Sequence, residues 1–155
     1  MTLTLDEADR KLLALLQQDG KASVQQLAEA AGLSTSPCWR RIKRMEEAGL
    51  IKGYVARLDP KQLGLNALAY VFVSLIDHHE KTISRFGQLI SAEMRIVECS
   101  SVTGDSDYIL KIAARDPEDL EGFLMKGLLA SGLVRESKTH FILRQTKNRS
   151  PWPLL

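Results

Sequence analysis

Residues 24–45 read VQQLAEAAGLSTSPCWRRIKRM, and their spacing predicts two short helices joined by a tight turn. Val24, Leu27, Ala28 and Ala31 form one apolar stripe, and Gly32 follows where a helix end favours a left-handed residue. Leu33 turns inward. Ser34 or Ser36 can cap the next helix, and Pro37 fits its first turn because the N–H it lacks has no intrahelical partner there. In that second helix Cys38, Ile42 and Met45 recur at i, i+4 and i+7 as an inward stripe, so Ser36, Arg40, Lys43 and Arg44 fall on the opposite side. Residues 30–45 hold four basic side chains and no acidic one, although the whole chain is close to balance at 21 Lys and Arg against 19 Asp and Glu. A solvated helix face mixes both signs and pairs them at i, i+4. Here no acid precedes Glu46, so the charge is expected to seek an external anion.

Double-stranded DNA fits that requirement, because Lys and Arg contacts to phosphates release counterions, and an arginine near the start of such a helix can bridge guanine O6 and N7. Arg40 is the candidate for reading bases, with Thr35 and Ser36 beside it. Arg41, Lys43 and Arg44 are candidates for phosphate contacts that set register, and Trp39 lies on the flank. The bland alternative is a solvated helical hairpin.

The rest of the chain sets the frame. At 155 residues, 45% hydrophobic and 26% charged, it suits one domain or two small ones. No apolar run approaches a membrane span, and the start MTLTLDEADRK lacks the basic head and apolar centre of a signal peptide, so a cytoplasmic protein is expected. Cys38 and Cys99 have neither metal-ligand spacing nor the density of a disulfide scaffold, and both are expected to be reduced packing residues. Cys38 has a sharper reading as a redox sensor, since a helix start can lower a thiol pKa. The net charge of +2 does not by itself argue for nucleic acid, and residues 1–59, with nine basic against eight acidic groups, are scarcely more positive. The local cluster carries the argument.

Upstream, Asp6 and Asp9 form a capping pair for a helix whose apolar side is Leu12, Leu13, Leu15 and Leu16 and which Gly20 ends. Downstream, residues 50–58 read as a short extended ribbon, the wing that often follows three such helices. A DNA-binding domain is thus expected over 1–58 and a linker, containing DPKQLGLN, over 59–67. A second domain is expected over 68–155. There, 69–76 is a strand apolar on both faces, 80–92 a helix with Ile83, Phe86, Leu89 and Ile90 inward, and 95–103 a strand. Gly104-Asp105-Ser106 turns into a strand at 107–114. Asp116 caps a helix that Pro117 opens, carrying Leu120, Phe123, Leu124, Leu128 and Leu129, and 134–143 is the last strand. The order β-α-β-β-α-β is the ferredoxin-like arrangement, a four-stranded antiparallel sheet with both helices on one face. The fold class is α+β. One apolar row of the first strand is left over, and a self-complementary sheet-to-sheet dimer would bury it. The segment 146–155 loses periodicity and is expected to lie extended on a neighbour or to be disordered.

With this order in place the chain resembles the Lrp/AsnC (leucine-responsive and asparagine-responsive) family of transcription regulators over nearly its whole length. LDEADRKLLALLQQDGKAS is similar to the family's first helix, LAEAAGLSTSPCWRRIKRMEEAGLIKGY to its DNA-binding unit, and VECSSVTGDSDYILKI to its ligand-domain hairpin. The resemblance implies dimers that assemble further, commonly into octamers, with an amino-acid effector bound between dimers near that hairpin. By position it implicates Thr103, Gly104, Asp105, Asp107 and Tyr108. Their chemistry agrees: backbone N–H groups at Gly104 for a carboxylate, Asp105 or Asp107 for an ammonium, Tyr108 as a wall. Gly-Asp is also simply a good hairpin turn. Ser106 stands where relatives often carry a larger residue, which bears on effector size, and Ser131 replaces the family's usual proline. No cofactor, metal or membrane partner is implied.

Two other readings compete. An enzyme would need a site such as Asp77, His78, His79 and Glu80, but adjacent histidines at a strand end point apart, no Cys or His stands at ligand spacing, and His140 is isolated, so a solvated turn and no catalysis are expected. A nucleoid-architectural protein would use the same helices on DNA without a ligand.

Overall fold

The computed structural model describes residues 3–147 and 152–154, arranged as two compact units, Met1–Arg57 with Lys147–Leu155 and Leu58–Thr146. The first unit holds helices α1 (Glu7–Gln18), α2 (Val24–Ala31) and α3 (Thr35–Glu47). Asp6 caps α1 in a full capping box with Asp9, and Ser23 caps α2 in another with Gln26. Gly32 takes the left-handed conformation (φ 72°) that ends α2 and turns the chain into α3. Ser34 occupies the N-cap of α3, but its side chain makes no capping bond. Leu12, Leu13, Leu27, Ala28, Cys38, Ile42 and Met45 form the core of this unit.

Three expectations for the first unit need correction. Asp19, in an extended conformation, caps the end of α1, ahead of Gly20. Residues 52–59, within the ribbon expected over 50–58, have no regular structure and pair in no ladder. Instead the Tyr54 hydroxyl donates to Glu46 at 3.0 Å, laying that ring beside Gly20. Residues 152–154 of the C-terminal segment, expected in the second domain, pack with the first unit. Gln17 takes both backbone groups of Trp152, its Oε1 accepting from the N–H at 2.6 Å and its Nε2 donating to the carbonyl at 3.2 Å, while Leu154 packs on the helical core. An amide side chain that meets both the N–H and the C=O of one residue leaves neither unpaired. Periodicity is blind to such a contact. The remainder of that expectation, at 148–151 and 155, lies outside the described residues.

The second unit is the four-stranded antiparallel sheet the element order predicts, with strands β1 (Ala67–Leu75), β2 (Ile96–Ser101), β3 (Tyr108–Ala114) and β4 (Val134–Phe141) in the order β2-β3-β1-β4. Helices α4 (Glu80–Ala92) and α5 (Pro117–Phe123) cover one face. Ala69, Val71, Val73 and Leu75 point into that covered side with Leu110 and Ile112, against Phe86, Leu120, Phe123 and Leu128. Ile83, expected inward, is 40% exposed, and Thr82 is buried in its place. The single helix read through 129 is α-helical only to Phe123. It continues as a π turn, Leu124–Leu128, and a 3₁₀ turn, Leu129–Ser131. There Gly127 lies so close to Phe123 that a Cβ would stand 2.9 Å from two ring carbons. The opposite sheet face carries Tyr70 and Phe72, the latter in edge contact with the His140 ring at 5.4 Å. His140 is therefore paired with an aromatic ring of the neighbouring strand. Among the described residues no helix is long and apolar enough to cross a membrane.

Candidate nucleic-acid interface and effector hairpin

The inward stripe of α3 is the predicted one, with Cys38, Ile42 and Met45 buried. Cys38 is wholly enclosed, its thiol 3.8 Å from the Val24 carbonyl, and burial pushes its pKa up. That direction removes thiolate and works against redox sensing. Cys99, expected as a packing residue, is exposed on β2, the edge strand of the sheet.

The stripe leaves Thr35, Ser36, Trp39, Arg40, Lys43 and Arg44 exposed, and Arg41 half-buried. Thr35 and Ser36 are the first two helical residues, and Arg40 follows Ser36 by one turn. Trp39 turns to the other flank, where with Leu16, Leu27, Ile42 and Tyr54 it lines a groove of about 280 Å³.

The cations are not equivalent. Arg41 reaches both acids of the α1 capping box, Nη1 standing 2.6 Å from Asp6 Oδ2 and 2.9 Å from Asp9 Oδ1. Arg44 Nη2 stands 2.5 Å from Asp9 Oδ2. Asp9 is fully buried. Lys43 stands 3.7 Å from Glu46, a loose i, i+3 pair. No ion pair engages Arg40 among the described residues. The expectation that this charge lacks internal partners is thus overturned for Arg41 and Arg44: the acids come from α1, more than thirty residues away in sequence, where a search along α3 does not reach. A signal was present. Asp9, Leu12, Leu13 and Leu16 share one face of α1, and an acid on a buried stripe needs a cation.

In the second unit the loop 102–107 joins β2 to β3, longer than the tight turn expected. Thr103, Gly104 and Asp105 are exposed, and Gly104 has φ +113°, a region that side chains rarely adopt. Asp107 and Tyr108 are half-buried and make contacts within the unit. Asp107 Oδ2 accepts the backbone N–H of Leu75 at 2.8 Å, its Oδ1 meets the His78 ring at 2.8 Å, and its own N–H donates to Val73 at 2.9 Å. Tyr108 faces the helices, 4.8 Å from Phe86. The Ser74 hydroxyl donates to the Asp105 carbonyl at 3.3 Å. His78, read from sequence as part of a solvated turn, thus helps pin the hairpin to the end of β1. No group of three or more His, Cys, Asp or Glu suited to a metal occurs among the described residues.

The His78 ring and the Leu75 N–H together hold the Asp107 carboxyl below the usual aspartate range. A lowered folded-state pKa contributes stability above the unfolded value, near 3.9, that is lost as pH falls through the folded value. Asp107→Asn is therefore expected to flatten the stability change of the second unit below about pH 4, followed by acid titration of its circular dichroism. An unchanged acid limb would show that the carboxylate adds nothing.

Residues 5–52 match the model for a winged helix-turn-helix DNA-binding domain, and residues 68–152 match that of the Lrp/AsnC ligand binding domain. The chain belongs to the Lrp/AsnC family. Its Lrp/AsnC relatives include the DNA-binding transcriptional activator DecR of Escherichia coli K12, 34% identical over 97% of this chain and 99% of that protein. The glutamate uptake regulatory protein of Zymomonas mobilis is 32% identical over 99% and 93%. In structure it is similar to a transcriptional regulator of Neisseria meningitidis in complex with L-Met, with a TM-score of 0.94 and 31% identity over 97% of each chain. Like them, this Lrp/AsnC protein is a DNA-binding transcriptional regulator with a ligand-binding domain.

Proposed function

We propose that this protein regulates genes of amino-acid metabolism from the cytoplasm, reading DNA through the start of α3 and responding to an amino acid bound between dimers at the 102–107 hairpin. Arg40 carries the first half of this reading. It is exposed and, among the described residues, free of ion pairs, one turn beyond Ser36 and Thr35, so a guanine edge meets no competing carboxylate among them. Lys43, held only loosely by Glu46, serves a phosphate, and Trp39 stays on the flank.

Thr103, the N–H groups around Gly104 and the Asp105 carboxylate supply the effector contacts, because they are exposed polar groups of the hairpin. Asp107 and Tyr108 hold the hairpin in place. The L-Met complex of the Neisseria regulator and the name of the Zymomonas one support an amino acid as ligand. The open sheet face with Tyr70 and Phe72 suits a second copy, and dimers so formed assemble into octamers. Linked heads raise the effective concentration at a palindromic site. An effector acts by its differential affinity for two assembly states.

A thermal-shift screen against the twenty amino acids tests the effector. A ligand at 100 times its dissociation constant stabilises by about 2.7 kcal/mol. Silence across the panel, with DNA binding intact, would favour a ligand-independent architectural role. Arg40→Gln tests the reading head. On a duplex enriched from a random pool by the natural protein it is expected to cost about 1–3 kcal/mol, with a smaller loss on random duplex. Equal losses on both would make Arg40 a phosphate contact.

A further inference from the structure

Arg41 and Arg44 lie three residues apart on α3 and converge on the first turn of α1. Asp6 and Asp9 already close the capping box there: Asp6 Oδ1 accepts the Asp9 N–H at 2.8 Å, and Asp9 Oδ2 accepts the Asp6 N–H at 3.2 Å. The same two carboxylates take the guanidinium groups with their remaining capacity, so two positive and two negative charges cancel. Two fixed points on one helix set its rotation about its own axis.

A phosphate approaching this side competes with a carboxylate that is 1% exposed and poorly screened by salt. Drawing Arg44 or Arg41 away would strip buried Asp9 of one of the two cations that compensate it, a cost that a phosphate contact at the surface has to overcome. Arg40 sits at the rim of the same shallow depression, with Pro37, Arg41 and Arg44, and has no such tie.

We infer that Asp9 is a positioning residue for DNA recognition: it holds Arg41 and Arg44 off the phosphate backbone, fixes the rotation of α3 that presents Arg40, Ser36 and Thr35, and keeps sequence-independent attraction low. This rests on α3 being the DNA-reading helix, as proposed above.

The test compares full-length natural protein, Asp9→Asn and Arg44→Gln on two duplexes, one random in sequence and one enriched from a random pool by the natural protein. Binding is followed by fluorescence anisotropy between 50 and 200 mM salt. Each phosphate contact contributes about 0.9 to the slope of log affinity against log salt, about a three- to fourfold change over that range. Arg44→Gln leaves Asp9 paired with Arg41 and is expected to keep the natural slope, since the charge it removes is already neutralised. Asp9→Asn frees one or two cations and is expected to steepen the slope by about one to two. It tightens binding to random duplex at 50 mM salt and lowers the ratio of enriched to random affinity. A purely structural role would lower the folded fraction and move neither slope nor ratio.

The inference is overturned if Arg44→Gln flattens the slope by about one and weakens both duplexes alike. It is equally overturned if folded Asp9→Asn keeps the natural slope and ratio. Should Asp9→Asn not fold, Arg44→Gln decides alone. Failure of α3 as the reading helix looks different: Arg40→Gln would then leave both duplexes at natural affinity.

Discussion

Asp9→Ala is expected to destabilise the helical unit by about 3 kcal/mol, measured as a lower midpoint of denaturant unfolding followed by the fluorescence of Trp39 and Trp152. Removing one member of a buried ion pair costs about 3–5 kcal/mol because the partner is left charged and desolvated. The low end applies here because Arg41 and Arg44 keep 30% and 48% of their side-chain surface in water and recover hydration. Alanine also empties half of the capping box, since the Asp6 N–H loses its acceptor. A unit of this size has little stability to spare, so a fraction of molecules unfolded at rest is part of the expected result. A loss below about 1 kcal/mol would mean that the arginines are held by α3 packing alone. Adding Arg44→Met to Asp9→Leu is expected to recover much of the loss, because two apolar groups need no compensation.

Phe86→Ala is expected to cost the sheet unit about 3–5 kcal/mol, read from the far-UV unfolding transition at fixed protein concentration. Phe86 is 1% exposed, the largest wholly enclosed side chain in the chain's described residues, and its ring lies against Tyr108. Truncation removes the transfer energy of the ring and leaves a void that the rest of the core cluster fills only in part. Tyr108 follows the loop 102–107, so the hairpin proposed to bind effector loses one of its supports. The His78 to Asp107 contact remains as the other. Folded Phe86→Ala is accordingly expected to answer its effector more weakly than natural protein while keeping its salt-dependent binding to random duplex. A cost under about 1.5 kcal/mol would show that the helix layer repacks without it.

Much of the architecture can be read without coordinates. The stripe Cys38, Ile42 and Met45, the turn at Gly32, the caps at Asp6 and Asp116 and the order of strands and helices each depend on contacts within a few residues or on simple periodicity. Thr82 and Ile83 show the limit: neighbours on a helix differ by 100° in direction, and packing decided which of the two is inside. The wing shows another, since an extended segment needs a ladder partner and residues 52–59 have none.

The sequence by itself determined that two domains follow one another, that α3 carries a cationic outer face, and that a glycine hairpin joins the second and third strands. Only the tertiary structure decided what those features are free to do. Arg41 and Arg44 meet the acids of α1, Asp107 meets His78 and the end of β1, Tyr108 meets Phe86, and Trp152 meets Gln17. Each joins residues more than twenty positions apart. The strength of such contacts comes from burial and from charges brought within hydrogen-bonding distance, which local periodicity does not encode. Arg40 on α3, outside every ion pair among the described residues, and the exposed residues 103–105 on the hairpin are the groups proposed to meet DNA and ligand.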